Sequence, residues 1–225
     1  MLEPEAVQAA FLAAAGEVQA LMNHLGLAAR SAPTAKLVFE ADLCSSLRRA
    51  LQFGRQETVS VDTVLGKAGV LGKPTDVVVA AKTKTAQLAI EVQWHPRGED
   101  HAGFAQAAIG DLARLVLARS RDAVEQAALI VGAPARFWRW LPQYAEDHIG
   151  FELLNADSET PASVKSDFLA GGTWDPLFQG GLDAELPDRL WTQLLQKADV
   201  TSPWAEMELR MLEVKGLGAA TRVRG

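Results

Sequence analysis

Two carboxylates stand at the ends of what reads as one hairpin. Asp76 follows Pro74-Thr75 and opens the apolar run Val77-Val78-Val79-Ala80-Ala81. Glu91 interrupts a second run, Leu88-Ala89-Ile90-Glu91-Val92, and Gln93 comes two residues later. The polar residues Lys82, Thr83, Lys84 and Thr85 lie between the runs and suit a turn. Residues two apart on a strand face the same way, so Glu91 and Gln93 share a face. Counting outward from Thr83, Asp76 is seven residues back and Glu91 eight on, which sets the two acids roughly opposite each other. Carboxylates a few ångströms apart repel, and a hard divalent cation relieves that repulsion. Mg²⁺ is the natural candidate, since it takes one or two carboxylates and completes its shell with water and phosphate oxygens. Bound there, it polarises a phosphodiester and activates a water. An unpaired acid inside an apolar strand is costly, which favours a site role for Glu91. Asp76 has a plainer alternative, a turn acid capping the start of its strand.

The elements that position these residues follow from periodicity. Val7, Phe11, Ala14, Val18, Leu21, Met22 and Leu25 recur at helical spacing, and a helix is expected over residues 1–30. A second helix, capped by Thr34 and running to about Gln52, carries Leu37, Val38, Ala41, Leu43, Cys44, Leu47 and Leu51 on a broad apolar face. Glu40 lies on it four residues after Lys36, where a surface ion pair is the bland alternative to a site role. Thr58 to Leu65 alternates like a half-buried strand, and Lys67 to Lys73 reads as a glycine-rich loop. After the hairpin, Trp94 to Asp100 is expected as a polar exit loop and His101 to Arg119 as a helix. Ala127 to Val131 has the pattern of a strand buried on both faces. Ala135 to Leu141 suits a helical turn and Ile149 to Leu154 a further strand. The expected architecture is α/β, a central mixed sheet flanked by helices. Past Asn155 the pattern weakens: a loop from Asp157 to Gly181, a helix from Pro187 to Lys197, an ambiguous element from Trp204 to Lys215 and a frayed tail.

The pattern Pro74-Thr75-Asp76 with Glu91-Val92-Gln93, fourteen residues apart, resembles the PD-(D/E)XK nuclease superfamily, the restriction-endonuclease-like fold. That family carries an acid, usually after Pro, on one strand and an acid–any–Lys triplet on the next. Its core is a helix, a three-stranded meander, a helix and a strand, an order matched here from Thr34 to Leu154. The resemblance implies a core over 34–154 with a C-terminal extension over 155–225 packing on it. It implies Asp76 and Glu91 as ligands of Mg²⁺ or Mn²⁺, Glu40 as an accessory ligand, and Asp76, Glu91 and Gln93 as the catalytic set. The implied activity is hydrolysis of phosphodiester bonds in DNA, as an endo- or exodeoxyribonuclease. Two departures stand out. Thr75 is inserted between the Pro and the acid, and Gln93 occupies the place of the motif Lys. A glutamine donates hydrogen bonds but brings no charge. Lys36, Lys67 and Lys73 are candidates to supply it from elsewhere.

Other residues have weaker claims. Gln106 and Asp111 on the helix after the hairpin are expected at the surface, Asp111 near Arg114. His95 and His101 flank a Pro-Gly loop and could bind a metal. Arg136-Phe137-Trp138-Arg139-Trp140 mixes cations with aromatics like a base-stacking surface, although core packing with the arginines reaching out to solvent explains it as well. Arg48, Arg49 and Arg55 add local positive charge. The chain has 225 residues, 48% of them hydrophobic, enough for one domain with appendages. A net charge of −6 excludes a globally basic nucleic-acid-binding protein, so DNA contact requires a local patch. The single cysteine, Cys44, forms no internal disulfide and reads as a buried helix residue. No signal peptide or membrane span is evident, and a cytoplasmic protein is expected. Two rivals remain in view: a catalytically inactive nuclease-fold scaffold that binds nucleic acid or a protein partner, and an interaction module that forms a homodimer through its N-terminal helix.

Overall fold

A computed structural model describes residues 3–29, 38, 40–53, 58–63, 74–80, 85–95, 99–120, 122–147, 154, 162–165, 189–202 and 205–214. Four helices are placed: α1 (Pro4–Ala29), α2 (Glu40–Gln52), α3 (His101–Ser120) and α4 (Ala135–Asp147). The strands are β1 (Val59–Thr63), β2 (Thr75–Val79), β3 (Ala86–Trp94), β4 (Val124–Pro134), β5 (Ala162–Lys165), β6 (Arg189–Ser202) and β7 (Ala205–Val214). They form one mixed sheet in the order β1-β2-β3-β4-β7-β6-β5. Among the described strands only β3 and β4 run parallel. Parallel neighbours require a crossover, and α3 supplies it.

The sheet separates two apolar layers. Val77, Val79, Leu88, Ile90 and Val92 point toward α1 and α2, where they meet Phe11, Val18, Met22, Leu43 and Leu47. Val78, Ala89, Leu129 and Val131 point toward α3 and α4, where they meet Ile109, Leu112, Leu115 and Phe137. The α/β class with a mixed, helix-flanked sheet is therefore as expected. The apolar face of α1 is buried within this chain, against α2 and β6.

Several elements differ from expectation. Trp94 ends β3 rather than opening a loop, and α4 continues past Leu141 to Asp147. The segment expected as a helix from Pro187 to Lys197 belongs instead to the long strand β6. Leu190, Trp191, Leu194 and Leu195 have the spacing of a helix face, and in the strand a bulge between Leu194 and Gln196 shifts the alternation. Before the bulge, Leu194 faces the α3–α4 layer; after it, Val200 faces the α1–α2 layer. One extra residue inverts the alternation, so strict period-two counting fails. Once β6 is a strand its outer edge needs a partner. β5 fills that place, inside the span expected as loop. β7 keeps the alternation of Met207, Leu209 and Met211, and it pairs with β4, so the C-terminal hairpin forms part of the central sheet. The expected Thr34 cap, the Lys67–Lys73 loop, most of the Ile149–Leu154 strand and the C-terminal tail lie outside the described residues.

Trp94 and Gly132 face each other across the parallel pair. A Cβ on Gly132 would stand 2.6 Å from Trp94 Cζ3 and closer still to Cε3. The indole is itself buried, so it has little room to yield. Gly132→Ala is expected to destabilise the protein by about 1–3 kcal/mol, read as a lower urea midpoint at unchanged slope.

Candidate active site

The antiparallel register of β2 and β3 pairs Val77 with Ile90, and continuing it places Asp76 opposite Glu91. The two side chains hydrogen-bond each other. The hairpin count from the sequence is thus met, with both acids on the α3 side of the sheet.

β2 stops at Thr75 while β3 continues to Trp94. Buried amides require partners, and carboxylates provide them. Val92 N donates to Asp76 Oδ2 at 2.6 Å, and the Trp94 amide donates to the Glu40 carboxylate. Glu40 opens α2, so the helix N-terminus delivers it to the sheet end. Asp42 shares that first turn, where negative charge complements the helix dipole. Lys36, the alternative partner of Glu40, lies outside the described residues, as do Lys67 and Lys73.

α3 runs back along β3, so side chains of the two elements meet in reverse order. Arg114 Nη2 lies 3.3 Å from Glu91 Oε1 and also donates to Asp111 Oδ1. Gln93 Nε2 donates to the other oxygen of Asp111 at 2.5 Å. Asp111, expected at the surface, is buried and bridges Gln93 to Arg114. The reason is that α3 is covered on all sides from Ala108 to Ala118, so its polar pair must point into the seam with β3. Asp111 and Arg114 are the site residues that motif reasoning missed. The available signal was an acid and a base three residues apart within an otherwise apolar stretch. Gln106, also expected at the surface, is half-buried.

At the far end of the same seam, His95 Nε2 and His101 Nδ1 are 2.9 Å apart. His95 stacks on Phe104 with ring centres 4.3 Å apart, and Phe137 and Trp140 close the cluster. Burial, then the neighbouring His101 and Arg136, push His95 down to about 4, so it is neutral at pH 7. Of the Arg136–Trp140 cluster, Phe137 and Trp138 belong to the core, while Arg136 and Arg139 are exposed. The core-packing alternative thus accounts for Phe137 and Trp138. Arg210 stacks over Trp138 with its guanidinium carbon 3.9 Å from the ring centre. Arg49 pairs with Glu17 at 2.5 Å, and Arg55 lies outside the described residues.

Electrostatics unite the carboxylates. Burial pushes Glu91 up to about 9, with Asp111 and Asp76 adding to the rise and Arg114 opposing it. Burial and the charges of Asp76 and Asp111 push Glu40 up to about 7. Asp76 is also raised by burial, against the Val92 amide and its bond to Glu91. Burial and the same acids push the Cys44 thiol far up, which leaves it a packed, unreactive group. At neutral pH the Asp76–Glu91 pair thus retains a proton, which a divalent cation would replace.

The donor set fits such an ion: hard oxygens, with two carboxylates in direct contact. It fits an ion that takes two carboxylates and fills its remaining positions with water and phosphate. Among the described residues no group of three or more His, Cys, Asp or Glu side chains has the spacing to hold a metal. None of the described helices is long and apolar enough to cross a membrane. No protein-family model, curated protein or solved structure matches the chain.

Proposed function

We propose that this chain is a metal-dependent phosphodiesterase acting on DNA, in the manner of the PD-(D/E)XK nucleases that its motif resembles. The observation that carries this reading is the contact between Asp76 and Glu91. Two acids meet at a sheet end, Glu91 buried and Asp76 half-buried, both with raised affinity for protons, and the charge of Asp76 also raises a third acid, Glu40. Asp76 and Glu91 would hold Mg²⁺ or Mn²⁺, with Glu40 adding negative charge beside them. The ion would supply positive charge to the phosphate and an activated water. The chain's own residues hold and orient: Val92 N fixes Asp76, Arg114 fixes Glu91, and Gln93 fixes Asp111. In the reaction a water oxygen bonds to phosphorus as one ester P–O bond breaks. The water gives up a proton and the departing oxygen gains one, leaving a phosphate monoester and a hydroxyl.

A second reading has its own support. Asp76 and Glu40 already accept the amides of Val92 and Trp94, and Arg114 already pairs with Glu91. These contacts are what a non-catalytic nuclease-fold scaffold would retain. Incubating the purified chain with plasmid and single-stranded DNA in Mg²⁺ or Mn²⁺ separates the two. The phosphodiesterase reading expects cleavage that EDTA stops. Absence of cleavage, together with no heat of Mn²⁺ binding in calorimetry, would leave the scaffold.

A further inference from the structure

We propose that Arg114 is the cation that meets the scissile phosphate, taking over the charge that Gln93 does not carry; this rests on the phosphodiesterase reading above. The seam between β3 and α3 carries the argument. Glu91 and Gln93 lie on one face of β3, and Arg114 and Asp111 come to them from α3. Arg114 is only 7% exposed, and its guanidinium reaches a carboxylate in direct contact with Asp76. It therefore stands beside the pair that would hold the ion.

Its orientation is fixed from behind. Asp111 offers one oxygen to Arg114 and the other to Gln93 Nε2. A lysine at position 93 would place its own charge on Asp111 and Glu91; glutamine instead acts as the clamp that aims the arginine. Gln93 is thus a positioning residue. The closest approaches to both acids are made by Nη2, which leaves Nε and Nη1 as further donors. A guanidinium matches phosphate oxygens with paired donors and stays charged at every working pH. A donor held in place before the reaction stabilises charge as it develops on the non-bridging oxygens. Arg114 also leaves the site electron-rich. Asp76, Glu91 and Asp111 all lie close to it, so one arginine does not replace the metal.

The test uses the full chain on plasmid and single-stranded DNA in Mn²⁺, with circular dichroism and calorimetric Mn²⁺ titration as controls. Arg114→Gln is expected to lower kcat by about 100-fold at saturating Mn²⁺, with KM for DNA changed by no more than about threefold. Adding Gln93→Lys to Arg114→Gln should restore kcat by about tenfold. A merely structural arginine gives no such rescue, since a lysine at position 93 returns a charge to the site without rebuilding the packing of the arginine side chain on α3. A folded Arg114→Gln that cleaves like wild type while Asp76→Asn is inactive overturns the proposal and leaves the phosphodiesterase reading intact. A wild-type chain that does not cleave overturns both. If Arg114→Gln does not fold, Arg114→Lys and Asp111→Asn carry the test. Each keeps a cation at 114 but loosens its aim, and kcat should fall by about tenfold. Unchanged kcat in both overturns the proposal.

Discussion

Glu91→Gln is expected to abolish metal-dependent DNA cleavage, lowering kcat by about 1,000-fold or more. The substitution preserves shape and a hydrogen-bonding side chain, so the fold should survive. It removes the charge that would draw the cation into the pair with Asp76. Because Glu91 is 2% exposed, no solvent-borne charge replaces it. Asp76→Asn should have a comparable effect by a different route. Its carboxamide can still accept the Val92 amide, but it no longer offers a second anionic ligand. Glu40→Gln should cost less, since Glu40 is outside the pair and its Trp94 bond needs only an acceptor. Mn²⁺ calorimetry on the three variants checks the order: the first two lose binding, and the third weakens it. Equal metal affinity in wild type and Glu91→Gln would remove Glu91 from the site.

The second large effect is a dependence of stability on pH that divalent cations reverse. Glu91 titrates near 4.5 when unfolded and about 9 when folded, and Glu40 near 4.5 and about 7. Between these values the folded chain retains protons that the unfolded chain has released. Stability then falls as pH rises, because unfolding releases protons. For Glu91 this stabilisation is fully present below pH 4.5 and is lost as pH climbs through about 9. The slope reaches about 1.4 kcal/mol per pH unit for one fully shifted group. Glu91→Gln, which stays neutral, should flatten the profile. Mg²⁺ requires the deprotonated acids, so its stabilisation should grow with pH, to about 2.7 kcal/mol at a hundredfold excess over Kd. Thermal melts across this range, with Mg²⁺ and with EDTA, read both effects. A melting temperature that rises steadily from acid to alkaline pH in EDTA would contradict the protonated pair.

Asp76 and Glu91, on which both effects turn, are legible in the amino-acid sequence alone. Their hairpin is legible because its apolar runs and polar turn have the spacing of two strands, and strand alternation is a local property. The meeting of Asp76 with Glu91 follows from counting across that turn. Glu40 is legible only as a helix acid. That α2 begins at Glu40, and that its carboxylate accepts the Trp94 amide, depends on how the helix packs at the end of the sheet.

Tertiary structure decided the rest. Asp111 and Arg114 look like an ordinary surface pair at helical spacing. They are buried because α3 is enclosed on all sides, and a buried charge must find its partners nearby. The strand β6 reads as a helix because a bulge breaks its alternation, and only pairing with β7 reveals the bulge. Local periodicity and turn chemistry thus determined the hairpin, the core helices and the two opposed acids. Which polar groups face one another across β3 and α3, and so whether Gln93 is a gap in the motif or the clamp of an arginine, depended on long-range packing that no local pattern encodes.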